Sequence, residues 1–265
     1  MSLRLSFLKS GSKGNCVLVE HNGSSFLIDI GVGIRNLHEI LRKLDRRLED
    51  INVVLLTHAH GDHVKRSALR AMAGCGTEFR CRREHADQLA HWPGFRMLAD
   101  AGLVHFYGQR SFSAVPGVRV RPVPLSHDSP ATHGFVMDFD MGSSQFRMVY
   151  IADCGSPDQK LARWIEDSDV VALEFNHDEE MERESGRPWH LIRRVIGPEG
   201  HLSNEDAAGL MGRIPKRGCK ALVQVHLSEE CNTPKLARTA AQNVVGTLPI
   251  YQAGQYTQGP FLEFA

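Results

Sequence analysis

Ile51-Asn52-Val53-Val54-Leu55-Leu56-Thr57-His58-Ala59-His60-Gly61-Asp62-His63 is the stretch on which the reading of this chain turns. Residues 51–56 form a short apolar run of the kind that makes a strand buried on both faces. His58, His60, Asp62 and His63 follow directly. A strand that ends in a turn aims His58 and His60 at one cation, while Asp62 and His63, one turn further on, face a second a few ångströms away. Ligand-type side chains gather this closely for a reason, and metal binding is the chemistry that uses all four.

The elements around this segment alternate between strand and helix patterns. Upstream, residues 16–20 and 25–30 read as a hairpin around the Asn22-Gly23 turn, followed by an amphipathic helix with Ile34, Leu37, Ile40, Leu41 and Leu44 on one face. Downstream, strands are expected at 77–81, 103–107, 118–125, 134–139 and 146–152, with a helix at 83–90. Toward the C-terminus, strands at 169–175 and 221–225 alternate with helices at 204–213 and 234–245. Ser203 is placed to cap the first of these helices, with Asp206 in its first turn and Pro215 as its stop. Strands in both halves with helices between them predict sheet packed on sheet and helices outside. The chain carries no internal repeat or linker-like tract, so residues 1–265 are read as one α/β domain.

Composition excludes several classes. The chain has 265 residues, is 42% hydrophobic, and balances 31 Lys+Arg with 31 Asp+Glu, which describes a globular protein and not a disordered one. Zero formal charge supplies no bulk attraction to nucleic acid or membrane, so such a partner needs a local basic patch. The 14 histidines against 4 tyrosines and 3 tryptophans point to metal. No apolar run approaches the about 18 residues that span a bilayer, and residues 1–10 lack a signal-peptide core, so a cytoplasmic, non-membrane protein is expected. The six cysteines form no Cys-x-x-Cys pair, which predicts reduced thiols and disfavours a zinc finger.

The His-x-His-x-Asp-His string after a hydrophobic strand resembles the signature of the metallo-β-lactamase superfamily, and the likeness runs along nearly the whole chain. It implies a four-layer αββα sandwich with a dinuclear metal site at one edge, between the sheets. On this resemblance His58, His60 and His127 hold one metal, Asp62, His63 and His226 hold the other, and Asp153 bridges them. His127, Asp153 and His226 each follow or end an expected strand, as the family pattern requires. Asp29, in Leu27-Ile28-Asp29-Ile30-Gly31, matches an acidic position that supports the metal loop without ligating. Cys154 neighbours Asp153 in an extended segment, points to the opposite side and is not expected as a ligand. An all-His/Asp set admits two divalent ions of Zn²⁺ or Mn²⁺, with iron also open.

Three further strings are similar to the YycJ/WalJ branch of that superfamily, which is associated with DNA exonuclease activity. They are Ser10-Gly11-Ser12-Lys13-Gly14-Asn15-Cys16, Glu174-Phe175-Asn176-His177-Asp178, and Gly200-His201-Leu202-Ser203-Asn204 together with residues 226–234. Lys13 stands where that pattern has a small polar residue. His201 is similar to the histidine that RNase Z enzymes place beside the scissile phosphate, and a sugar alkoxide leaving group calls for such an acid. Catalytic roles are therefore expected for Asp62, orienting the water, and for His201.

Basic clusters occur at Arg42-Lys43 with Arg46-Arg47, at Arg80 with Arg82-Arg83, at Lys216-Arg217 with Lys220, and at Arg187 with Arg193-Arg194. Only the last directly precedes His201, so Arg193 and Arg194, with His177, are the expected substrate-binding residues, and Trp189 offers a stacking surface. The expected function is phosphodiester hydrolysis by a metal-bridging hydroxide, with nucleic acid as substrate and DNA favoured. Two alternatives stand beside it: a small-molecule cyclic phosphodiesterase, marked by an enclosed pocket, and a metal-bound, non-catalytic nucleic-acid-binding subunit.

Overall fold

Phe26, Leu27 and Ile28 are all buried, but successive residues enter different cores, because strand side chains alternate between faces. Phe26 and Ile28 pack with Phe135, Met137, Phe139 and Tyr150. Leu27 packs with Leu37, Leu41, Leu69 and Leu98. Val53, Val54 and Leu55 repeat the alternation. A third cluster joins Val149, Ile151, Val171 and Leu173 to Leu210, Met211 and Ala237. Three apolar interfaces in this arrangement separate four layers, helix, sheet, sheet and helix.

The computed structural model describes residues 1–214 and 218–265; the expected stop at Pro215 and the basic pair Lys216-Arg217 lie outside the described residues. The first sheet contains β1 (Leu3–Lys9), β2 (Cys16–His21), β3 (Ser24–Ile28), β4 (Val53–Leu55), β5 (Glu78–Cys81) and β6 (Val104–Phe106). The second contains β7 (Phe112–Ser113), β8 (Val118–Pro124), β9 (His133–Asp140), β10 (Gln145–Ile151), β11 (Val170–Glu174), β12 (Ala221–Val225) and β13 (Ile250–Gln252). β14 (Phe261–Phe264) returns to the first sheet beside β1. Among the described residues each sheet is seven-stranded, ordered β14-β1-β2-β3-β4-β5-β6 and β13-β12-β11-β10-β9-β8-β7. β3 to β6 run parallel, as do β10 to β13.

Helices α1 (Ile34–Lys43), α2 (Arg66–Cys75), α3 (Arg83–Leu89) and α4 (Pro93–Asp100) cover the first sheet. The second is covered by α5 (Gln159–Ile165), α8 (Asn204–Gly212) and α9 (Pro234–Val245), while α6 (Glu179–Arg183) and α7 (Trp189–Val195) lie in the connection after β11. Ser203 caps α8 by accepting from the Asp206 amide at 3.0 Å, as its sequence position predicts. No described helix is long and apolar enough to cross a membrane.

The sequence reading missed β1, β7, β13 and β14, together with α2, α4, α5, α6 and α7. In β1, Leu3, Leu5 and Phe7 face the inter-sheet core and Leu8 faces the helices, a double burial hidden by Arg4, Ser6 and Lys9. Helix α2 starts at Lys65 with no side-chain cap and no acid in its first turn, so it lacks the usual start signal.

Candidate metal centre

The C-terminal ends of parallel strands from both sheets converge on one edge. Asp29 follows β3, His58 follows β4, Asp153 follows β10, Glu174 ends β11 and His226 follows β12. Asp29, Asp153 and His226 take left-handed φ angles of 61°, 58° and 57°, where a non-glycine residue is held only against a local energy cost. The conformation swings each side chain off the strand and into the space between the sheets. A Cβ on Gly31 would lie 1.6 Å from the Asp62 carbonyl oxygen, so only glycine lets the β3 connection press this closely on the segment from His58 to His63.

His58, His60 and His127 form one group, with a nitrogen of each within 4.8 Å of the others. His127 Nδ1 donates to the Gly200 carbonyl (3.0 Å), leaving its Nε2 as a lone pair 3.3 Å from His60 Nδ1. His58 Nδ1 lies 3.1 Å from the Thr57 hydroxyl, and its Nε2 is buried with no hydrogen-bond partner. Burial first, then the charge of His63, holds the His58 pKa well below its ordinary value, so it stays neutral and able to ligate.

Asp62, His63 and His226 form a second group on the same criterion. Asp29, wholly buried, accepts from His63 Nδ1 (2.6 Å) and from the Thr57 amide (2.8 Å), which fixes the ring and turns Nε2 inward. That Nε2 stands 2.8 Å from Asp153 Oδ2. Asp153 belongs equally to the first group, since its Oδ1 is 3.8 Å from His127 Nε2 and it clusters with His58. Nitrogen lone pairs and carboxylate oxygens this crowded and this dry require positive charge among them. A divalent cation would supply it, and His58 Nε2, buried with no hydrogen-bond partner, fits one. Metal-free, the histidines must carry that charge: burial depresses His63 and His226, but the neighbouring carboxylates outweigh it, raising His63 well above its ordinary value and His226 to about 10.

Glu174 is the residue that sequence reasoning passed over. Fully buried, it accepts through Oε1 from His201 Nδ1 (2.8 Å) and His226 Nδ1 (2.9 Å), and through Oε2 from the Cys154 and Leu202 amides (2.9 and 3.1 Å). Burial would raise its carboxyl, but His201 and His226 bring it down to about 2, so it stays ionised. The available signal was its position, an acid ending a hydrophobic strand beside the strands that lead to Asp153 and His226. His201 sits over the junction of the two groups, its ring 5.1 Å from that of His127 and 5.3 Å from that of His226. Asn15 adds a further support, its amide nitrogen 2.9 Å from His63 Nε2.

The remaining expected residues divide. Cys154 is buried in the outer core of the second sheet, apart from the clustered histidines and carboxylates. His177 is only 1% exposed, with a carbonyl that accepts the Asn204 amide and a backbone bridged to Ser203. A side chain so enclosed offers nothing to a polymer; its burial corrects the expectation of substrate contact. Arg194 is bound to Asp128, which lies 3.3 Å from His127 Nε2, so it reaches the rim of the centre already paired. Arg193 is exposed, and Trp189 is 56% exposed, which makes it a surface residue and not core. Arg187 is spent on Glu182 and Glu230, removing it from the expected basic segment.

Comparison with known proteins places this geometry. A family described as the Beta-lactamase superfamily domain matches residues 24–226, which include every member of both ligand groups. The exodeoxyribonuclease WalJ of Streptococcus pneumoniae is 27% identical over 251 residues, covering 92% of this chain and 88% of that protein. The exodeoxyribonuclease YycJ of Bacillus anthracis is 26% identical over 250 residues, covering 92% of this chain and 90% of that one. Among solved structures, the metallo-beta-lactamase fold protein YhfI from Bacillus subtilis superimposes over 100% of both chains with a TM-score of 0.72 at 16% identity.

Proposed function

The chain belongs to the β-lactamase superfamily, and we propose that within it this protein is a metal-dependent phosphodiesterase that cleaves nucleic acid, acting on DNA as an exonuclease. The observation that carries this reading is the pair of contacts at Glu174 Oε1, which tie His201 to the ligand-type His226 through one carboxylate oxygen. His58, His60 and His127 would hold one divalent cation and Asp62, His63 and His226 a second, with Asp153 between them. Such ions lower the pKa of bound water and neutralise charge on a phosphoryl oxygen, which is the chemistry phosphodiester hydrolysis needs.

The chain's own residues supply the rest. Glu174 occupies His201 Nδ1, leaving Nε2 to meet the substrate, and the negative carboxylate favours a proton on the ring. A sugar alkoxide leaves slowly unless protonated, and His201 is held where it can give that proton. Asp62, between His63 and His226, orients the attacking water. Arg193, and Arg194 once exchanged from Asp128, would contact the backbone. The relatives named as exodeoxyribonucleases support DNA over RNA. Zn²⁺ and Mn²⁺ both suit the donor set, and the six free cysteines support a cytoplasmic setting.

The test is a panel of 5′-labelled single-stranded and duplex DNA, RNA and a chromogenic phosphodiester, with Zn²⁺ or Mn²⁺ added to metal-stripped protein. Hydrolysis of DNA that chelation abolishes and metal restores is the expected result. Turnover of the small ester alone points to a small-molecule phosphodiesterase, and DNA binding without turnover to a non-catalytic subunit.

A further inference from the structure

Beside the metal centre, on the His226 side, lies a cleft of about 380 Å³ floored by Ser10, Leu227 and Ala253. It adjoins the centre through the backbone: Ser10 Oγ accepts the His226 amide at 2.7 Å, and Leu227 and Ser228 directly follow that histidine. At its mouth stands Tyr256, 63% exposed. An exposed tyrosine ordinarily turns freely, but this one is pinned, since its hydroxyl donates to Glu229 Oε1 (2.6 Å) and accepts from the Lys13 ammonium. Lys13 is itself held by Glu229 Oε2 at 2.6 Å, and Gln255 Oε1 accepts the Lys13 amide at 2.7 Å. Three separated loops thus fix one aromatic face toward solvent.

We propose that this cleft is a nucleobase subsite, in which Tyr256 stacks the base of the nucleotide adjoining the scissile phosphate. The inference rests on the reading of the protein as a nucleic-acid phosphodiesterase. The volume suits one base with its sugar, and ligand sites combine apolar walls with a few fixed polar groups in this way. A rigid aromatic face loses little entropy on stacking and accepts any base, which is what a processive or non-specific nuclease needs. Lys9, its ammonium 6.0 Å from the ring centre, offers a cation to a flanking phosphate, while Lys13, at 5.0 Å and paired with Glu229, serves to hold the tyrosine. The lysine at position 13, which departs from the pattern of the related branch, thereby acquires a use: it positions the tyrosine.

A coupling experiment on the metal-loaded full chain tests this. Short single-stranded DNAs carrying one abasic site, moved position by position from the cleaved end, are compared with the intact strand for wild type and Tyr256→Ala. Loss of one stacked base is worth about 5- to 150-fold, so wild type should lose about that factor in kcat/KM, mainly through KM, at a single abasic position. Tyr256→Ala should lose a similar factor on the intact strand and little more on that abasic strand, while Tyr256→Phe, which keeps the ring but not its tether, should fall between. Additive losses, no abasic position with a penalty, or equal losses for Phe and Ala overturn the subsite and leave the nuclease reading standing. Absence of DNA cleavage by wild type sinks the nuclease reading itself. A thermal melt of each variant separates misfolding from lost stacking, and Tyr256→Trp, which restores a stacking face, should recover the activity if Tyr256→Ala proves unstable.

Discussion

The two ligand groups differ in what stands behind them. His58 and His127 rest through Nδ1 on neutral atoms, the Thr57 hydroxyl and the Gly200 carbonyl, and the carboxylate near this group, Asp128, stands on the Nε2 side, 3.3 Å from His127 and 3.7 Å from His60. His63 and His226 are backed by the buried carboxylates Asp29 and Glu174, and Asp62 adds a carboxylate of its own. A histidine that donates its other nitrogen to a carboxylate is a stronger base toward a cation, and burial keeps water from competing. Each group has two buried members and one partly exposed one, so the carboxylates behind the Nδ1 atoms of His63 and His226 make the difference, and the second group is expected to be the tighter half, filling first and emptying last.

Four experiments break or sharpen this contrast. The largest effect is expected from Asp62→Ala, which removes the carboxylate that clusters with His63 and His226 in the tighter half. DNA cleavage should fall by more than the about 10⁴-fold that a single acid–base group can account for, with the circular dichroism spectrum retained. Near-normal rates in a metal-replete sample would place the chemistry in the first group alone.

His201 spans both halves, so His201→Ala should reduce DNA cleavage by about 10² to 10⁴-fold at unchanged metal content. A nitrophenyl phosphodiester, whose leaving group departs without a proton, should lose far less. Equal losses on both substrates assign His201 to positioning, and loss of metal assigns it to the ligand set.

Next in size, Glu174→Gln should weaken cation binding at the tighter site by about 10- to 100-fold in a competition titration against a chromogenic chelator. Asp128→Asn, beside the looser group, should change that constant by only a few-fold. Comparable shifts in the two variants erase the distinction between the halves.

The smallest effect is a pH trend. His226 carries a pKa raised to about 10 from an ordinary 6.5; burial opposes this, and Asp153, Asp62 and Glu174 outweigh it. A raised group adds stability that is complete below its unfolded value and is lost as pH climbs through its folded one. The melting temperature of EDTA-treated protein should therefore decline between about pH 6.5 and pH 10. Cations compete with those protons and bind better as pH rises, so the gap between loaded and stripped protein should widen. A constant gap would mean that no buried histidine exchanges its proton for metal.

The sequence reading named the side chains that the fold gathers at one edge more fully than it named the helices. His58 to His63 announce themselves because four donors lie in one short turn, and His127, Asp153 and His226 because each closes a hydrophobic strand. Glu174 closes a strand in the same way but lies among residues that resemble a core segment, and its role depends on two histidines 27 and 52 positions away. Local pattern cannot supply such a partnership. The hairpin at Asn22-Gly23 was legible because left-handed φ angles of 47° and 83° suit that pair, whereas α2, uncapped and short of first-turn acids, draws its stability from Leu69 and Met72 packing under the first sheet. Lys13 was visible as a departure, but its contacts with Glu229 and Tyr256 reach across more than two hundred positions.

The pairing of β14 with β1 bears on how this molecule is made. Arg4 and Glu263, partners in the ladder, lie 259 positions apart. During vectorial synthesis the turn bearing His58 and His60 leaves the ribosome long before β12 delivers His226, so an early-arriving cation meets an incomplete cage. Contacts of such long range form slowly, and the first sheet stays open along β1 until β14 is released. The cluster of ligand-type side chains is complete only once residue 226 has emerged and the second sheet has formed, so a cation held there would report that both sheets are in place.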